Sequence, residues 1–185
     1  VLSCSDVKPF IFTIGMTYLN SSRLQNTRLN GAEYDIVTMN GFTSEQLNTL
    51  QQNENIRSVG IESYAGFIQS TEYDKTVEIG LLWCDEVFWD NLMSPARTKL
   101  DGHYPQNKNE LMVTKDILKT CGNENLSVGD SLILTYENNT GVYTDEFVIS
   151  GIWDGYGDTS AGFVSKAFYD ETGYVVRENS GKFFT

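Results

Sequence analysis

Across residues 10–29, apolar positions recur at helical spacing. Phe12, Met16 and Leu19 share one face with Arg23, while Ser21, Ser22, Gln25, Asn26 and Thr27 cover the other, and Gly31 stands where a helix would stop. Residues 33–40 alternate instead, with Tyr34, Ile36 and Thr38 on one side and Asp35, Val37 and Met39 on the other, the pattern of a strand. Thr43-Ser44-Glu45-Gln46 reads as a capping box opening a helix with Leu47 and Leu50 on one face. Residues 56–68 return to a strand pattern with Val59, Ile61 and Phe67 expected to face inward. Strand, helix and strand over this length predict a split βαβ unit. A third strand is expected at 76–83, followed by a short helix through Val87, Phe88, Asn91, Leu92 and Met93, capped by Asp85 and ended by Pro95.

Residues 99–165 carry the densest set of signals. Leu100-Asp101-Gly102-His103-Tyr104-Pro105 reads as a turn, and Leu111–Val113 as a short strand. Thr114 caps a helix over 115–121 whose buried side is Ile117, Leu118 and Cys121 and which closes at Gly122. Val128-Gly129-Asp130 turns into a strand over 131–136 with Leu132 and Leu134 facing one way. Asn138-Asn139-Thr140-Gly141 then predicts a hairpin, because Asn and Gly adopt positive φ at least cost. Residues 146–153 return antiparallel, 154–158 form a loop, 162–164 a strand, and Ser165 caps a last helix over 166–172. A further strand is expected at 174–176, and Phe183-Phe184 carries no closing signal.

No repeat, low-complexity tract or Pro-rich linker divides the chain, so a domain boundary must be topological. The expected arrangement is an α+β fold in two lobes. A helical lead-in occupies 1–30, a βαβ-based lobe takes 31–76 with 165–185, and a mostly-β lobe over 77–164 is inserted into it. A chain of 185 residues buries roughly 70% of its unfolded surface and folds without disulfides or metal. Its net charge of -12 and lack of a Lys/Arg cluster argue against nucleic acid and against anionic membrane binding through a basic face. Cys4, Cys84 and Cys121 are too few and too scattered for a disulfide framework, although one pair could bridge. The longest apolar run, near residues 9–19, is shorter than the ~20 residues a membrane helix needs and lacks the basic start of a signal peptide. Val1-Leu2-Ser3-Cys4 has only a faint likeness to a lipoprotein cleavage box. The chain could be a piece of a larger membrane protein, with its first residues the outer end of a helix.

Candidate chemistry is sparse. His103 is the single histidine, so any Ser-His-Asp or Cys-His engine must use it, and its turn setting beside Pro105 favours a structural role. Asp85-Glu86, Asp145-Glu146 and Asp170-Glu171 are carboxylate neighbours, but glycoside hydrolysis needs two acids ~5–10 Å apart across a substrate, and their positions fit a cap, a strand start and an exposed helix face better. Asp154, Asp158 and Ser160 lack the spacing and closing Glu of a calcium loop. No Gly-rich phosphate loop with Lys, no His-Glu-x-x-His and no Gly-x-Ser-x-Gly occurs. Neither a catalytic residue, a metal site nor a cofactor is expected. Among the large aromatics, Trp83 and Phe88 are expected in the core. Trp89, Trp153 and Tyr156 are the candidate partner-binding residues, with core packing the open alternative.

Taken in order, the Asp101–Pro105 turn, Asn109-Glu110-Leu111-Met112-Val113-Thr114, the helix to Gly122, Val128-Gly129-Asp130 and Phe147-Val148-Ile149-Ser150-Gly151-Ile152 resemble a recurrent segment of FtsX/MacB-type ABC transporter permeases. The upstream βαβ unit and the leading helix with Gly31 look like the same family's ectodomain, so the resemblance covers most of the chain. His103 departs from it, standing where the family commonly has Arg, which would replace a permanent ion pair by a weaker, pH-dependent contact. The resemblance implies a MacB-like periplasmic core domain between two transmembrane helices, at the extracellular face of the cell membrane of a Gram-positive bacterium. It implies no enzymatic activity. A separate cytoplasmic ABC ATPase would hydrolyse ATP, and the domain would pass the resulting motion to export or to an outside partner, a peptide, lipoprotein or cell-wall hydrolase. The permease could be homodimeric. A peptide- or glycan-sensing module and a hydrolase are the rival readings.

Overall fold

In the computed structural model the described residues are 4–32, 37–38, 43–69, 79–157, 161–172 and 182–184, with side chains undescribed for 4–14, 37–38 and 182–184. The chain begins with α1, Cys4–Asn30, a 27-residue helix. It ends where expected: Gly31 has φ +91, a conformation that spares a residue without Cβ, and its amide returns to the Thr27 carbonyl at 3.0 Å. Strand β1, Val37–Thr38, lies within the predicted 33–40 strand, whose other residues fall outside the description. Helix α2, Ser44–Gln51, starts with both bonds of the predicted capping box, Thr43 Oγ1 accepting from the Gln46 amide and the Gln46 side chain accepting from Thr43 N–H.

Strand β2 runs Gly60–Ile68 and β9 is Lys182–Phe184. Both β1 and β2 pair antiparallel with β9, which lies between them. The β1–α2–β2 connection is therefore a split βαβ, with the chain's last described strand filling the split. The residues of β9 had given no sequence signal, and 174–176 lie outside the description. The inward face of β2 also differs from expectation. Val59, Ser63, Ala65 and Ile68 are buried, whereas Ile61 and Phe67 are half-buried; the bulge between Tyr64 and Gly66 shifts the alternation so that Ile68 and not Phe67 turns inward.

Six strands close into a barrel. Its staves follow the order β2, β3 (Ile79–Cys84), β8 (Ala161–Val164), β5 (Glu110–Thr114), β7 (Gly141–Gly155) and β6 (Ser131–Asn138), and β6 pairs back to β2. Alternate residues fill the interior: Ala65 and Ile68, Ile79 and Leu81, Leu111 and Val113, Leu132 and Leu134, Phe147 and Ile149, and Val164. Helices α3, Lys115–Thr120, and α4, Lys166–Glu171, add Ile117, Leu118 and Phe168 to this core, and each starts at its predicted cap, Thr114 and Ser165. The closure needs Gly66, where a Cβ would stand 2.7 Å from the Glu137 carbonyl oxygen across the β2–β6 seam. Since β2 pairs with both β3 and β6, residues 31–76 and 77–164 share one continuous sheet.

Two further local expectations change. The hairpin at Asn138–Gly141 forms, but no non-glycine residue among those described has positive φ. Asn138 acts through its side chain, its Oδ1 accepting from the amides of Thr140 at 2.8 Å and Gly141 at 3.2 Å. The segment before the Asp101–Pro105 turn is strand β4, Arg97–Gly102, laid antiparallel on β7 outside the barrel. Its exposed, mixed-polarity residues carry no alternation, so the strand was not legible. Strand β7 likewise continues through Asp154 to Gly155, where a loop was expected, and the candidate calcium residues Asp158 and Ser160 lie outside the description.

Candidate functional site

A second apolar cluster covers the outer wall of the barrel. It contains Leu82 and Cys84 of β3, Met112 of β5, Trp153 of β7 and Phe163 of β8, the residues that alternate with the interior set. A π-helix, Val87–Leu92, lays Phe88, Trp89 and Leu92 on this cluster. The π winding shows in the bond from Met93 N–H to the Phe88 carbonyl, 2.8 Å across five residues. Asp85 starts it much as predicted, its Oδ1 accepting from Phe88 N–H at 2.8 Å and from Ile61 N–H of β2 at 3.1 Å. A 3-10 turn, Ser94–Ala96, holds Pro95 and hands the chain to β4.

Between the π-helix, β4 and the Gly102–Gln106 crossing lies a cleft of about 630 Å³. Its lining includes Trp83, Asp85, Trp89, Asp90, Arg97, Leu100, His103 and Gln106. The crossing can sit so close to the sheet because Gly102 and Gly151 face each other in register. Gly102 has φ +87, a Cβ on it would stand 2.2 Å from the Ser150 carbonyl oxygen, and one on Gly151 would meet the His103 carbonyl at 2.7 Å.

That approach places Tyr104 as a half-buried strut with its hydroxyl turned inward. Its hydroxyl accepts from Cys84 N–H at 2.9 Å and lies 3.2 and 3.3 Å from the carbonyls of Cys84 and Val164, to which it can donate. Burial pushes the Tyr104 phenol well above its ordinary range, so it stays protonated. Burial also pushes up the Cys84 thiol, which leaves it un-ionised and inert. The Asp85 carboxyl is raised by burial, against the lowering pull of its two amide donors. Arg97 lies with Cζ 4.3 Å from the centre of the Trp89 ring and 3.9 Å from Asp90, and burial lowers its pKa from the usual guanidinium value. Elsewhere in the lining Trp83 stacks on Tyr169 at 5.1 Å, with Lys166 Nζ 5.2 Å from its ring centre.

The three candidate partner-binding residues separate in space. Trp89 is 4% exposed and Trp153 1% exposed, and they meet edge to face at 5.7 Å within the outer-wall cluster. Of the two readings left open for these indoles, their burial is that of core packing: Phe163, Tyr104 and Arg97 pack on Trp89, which also lines the cleft. Tyr156 is 51% exposed, but it stands at the foot of α1 with Arg28 over its ring at 4.7 Å. Trp83 is half-buried against the barrel core and Phe88 buried. Sequence reading missed Tyr104, Arg97, Gln106 and Lys166, since contacts between segments far apart leave no local pattern. The glycine pair 102/151 was the one available signal.

The remaining chemistry is engaged structurally. His103 is exposed, and its Nδ1 donates to its neighbour's carbonyl, Tyr104 O, at 3.0 Å. Asp145 accepts from the Tyr136 hydroxyl at 2.7 Å, Asp170 pairs with Lys166 and Glu171 with Lys108. Cys84 is a free thiol. Among the described residues no group of three or more His, Cys, Asp or Glu is arranged to hold a metal, and no helix is long and apolar enough to cross a membrane.

No protein-family profile matches the chain, and no curated protein matches it. Among solved structures, it is similar to "a domain of a putative Permease protein from Porphyromonas gingivalis", at 9% identity and a TM-score of 0.44. The alignment covers 85% of this chain and 62% of that one, so the chain spans less than two thirds of its neighbour's length.

Proposed function

We propose that this chain is the extracellular domain of an ABC transporter permease of the FtsX/MacB type. It would couple ATP hydrolysis by a cytoplasmic ATPase to export, or to action on a peptide, lipoprotein or cell-wall hydrolase outside, with no chemistry of its own. The observation that carries the reading is α1. At about 1.5 Å per residue its 27 residues extend about 40 Å. From Gly15 to Asn30 every residue except Thr27 is exposed. Among the described side chains its grip on the body is at its last turn, through Arg28 on Tyr156, Leu29 against Gly157 and Gly31-Ala32 on Leu92. A long helix held by the body at its last turn can serve as a stalk, suited to carrying a displacement into the barrel. The ordered motifs of residues 101–152 support the same reading through their resemblance to that family.

The test uses the full-length chain in intact cells. A cysteine placed at exposed Val142 on the β6–β7 hairpin should react with a membrane-impermeant maleimide added outside, and the chain should co-purify with an ABC ATPase. Protection of Val142→Cys in intact cells but not in lysed ones, or a chain that stays out of the membrane fraction, would overturn the reading. A second reading, a ligand-binding module, is favoured by the 630 Å³ cleft and is compatible with the first.

A further inference from the structure

The π-helix touches the stalk with one end and the cleft with its middle. At its C-terminal end the Leu92 carbonyl accepts from Ala32 N–H at 2.6 Å, and a Cβ on Gly31 would stand 2.3 Å from that oxygen. The end of α1 is thus seated directly on the last residue of the π-helix, with no side chain between them. In its middle, Trp89 and Asp90 line the cleft and are held by Arg97. Asp85, just before it, lines the same cleft and anchors the start to β2. Beneath it lies Gly60 of β2, where a Cβ would be 2.6 Å from Leu92 Cδ1 and 2.9 Å from Phe88 Cα, so the π-helix rests on bare strand backbone.

We propose that the π-helix Val87–Leu92 is a transmission element pivoting on Gly60, so that displacement of α1 and rearrangement of the cleft are one event. The proposal rests on the reading of α1 as a stalk and adds the site that the stalk controls. The winding supplies the physical means. A π turn encloses one residue more than an α turn, and such turns are rare and concentrated at functional sites. Tightening it to α geometry moves the following residues by one position, about 100° around the helix axis. A pull on Leu92 therefore rotates Trp89 and Asp90 relative to Arg97, changing the cleft wall. Linkage requires the reverse as well: a change at Arg97 must loosen the seat of α1.

Amide hydrogen exchange on the 185-residue chain tests both directions. Gly31→Ala introduces a Cβ at positive φ against the Leu92 carbonyl. Exchange in residues 86–92 and 97–106 should rise about tenfold, while the β6–β7 hairpin keeps its wild-type rates. Arg97→Gln, which alters the cleft and leaves the residues of α1 and its seat unchanged, should accelerate exchange of the Ala32 amide by a similar factor. Acceleration confined to α1 in Gly31→Ala, or an Ala32 amide as protected in Arg97→Gln as in wild type, overturns the relay. If Gly31→Ala loosens the hairpin too, the fold is compromised and the Arg97→Gln arm alone decides. These outcomes are independent of the labelling in cells, so the relay can fail while the permease reading stands, and the reverse.

Discussion

Replacing Tyr104 by Phe isolates the strut beneath the cleft. The ring stays, with its contacts to Trp89 at 5.4 Å and Phe163 at 5.9 Å, so no cavity opens. What disappears is one hydroxyl that takes the Cys84 amide proton and stands within reach of the Cys84 and Val164 carbonyls. An orphaned buried amide costs about 1–3 kcal/mol, and carbonyls have a second lone pair with which to compensate, so a loss of about 2 kcal/mol is expected. For a chain of this size that lowers Tm by about 4–8 °C. Urea unfolding followed by tryptophan fluorescence measures it, with Tyr143→Phe as control, since that hydroxyl bonds only the exposed Thr140 at the hairpin tip among the contacts described. Because burial holds the Tyr104 phenol protonated, the defect should be the same at pH 6 and pH 9. A loss below about 0.5 kcal/mol, equal to the control, would show that the hydroxyl does not tie the crossing to the sheet.

Gly66→Ala should destabilise by about 1–3 kcal/mol, because its Cβ overlaps backbone at the β2–β6 seam; a neutral result in urea unfolding would mean that the barrel is not closed there. Glu110 tests pH. Burial raises its carboxyl, but donors from Gln106 and Asn107 and the neighbouring His103 outweigh that and hold it below the usual glutamate value. A depressed carboxyl contributes stability above its unfolded pKa that is lost as pH falls through the folded value. Glu110→Gln should therefore cost about 1 kcal/mol at pH 7, given its exposure, and nearly nothing at pH 3; an equal cost at both refutes the ionic part. Ser150→Ala runs the other way. The Ser150 hydroxyl oxygen is buried without a partner among the described residues, so removing it should leave stability unchanged or raise it by about 1 kcal/mol, and a clear loss in Tm would reveal a partner for it.

The sequence alone determined what depends on near neighbours. The capping box at Thr43, the caps at Thr114 and Ser165, the stop at Gly31, the hairpin at Asn138–Gly141 and the alternation of Leu132 and Leu134 are each decided within a few residues, and each stands in the structure. The tertiary structure decided what depends on distant partners. Nothing local distinguishes Trp153, paired into β7 beneath Trp89, from an exposed aromatic such as Tyr156, because burial belongs to the face a strand turns inward and to what covers it. The exposed strand β4 and the terminal β9 exist through their ladders to β7, β1 and β2, where hydrogen bonds supplied by other segments replace any preference of their own. The closed barrel, the Tyr104 strut and the seat of α1 on Leu92 are of the same kind. Each joins residues tens of positions apart, and each relies on a glycine at 66, 102 or 31 whose missing side chain gains meaning only once the second backbone lies against it.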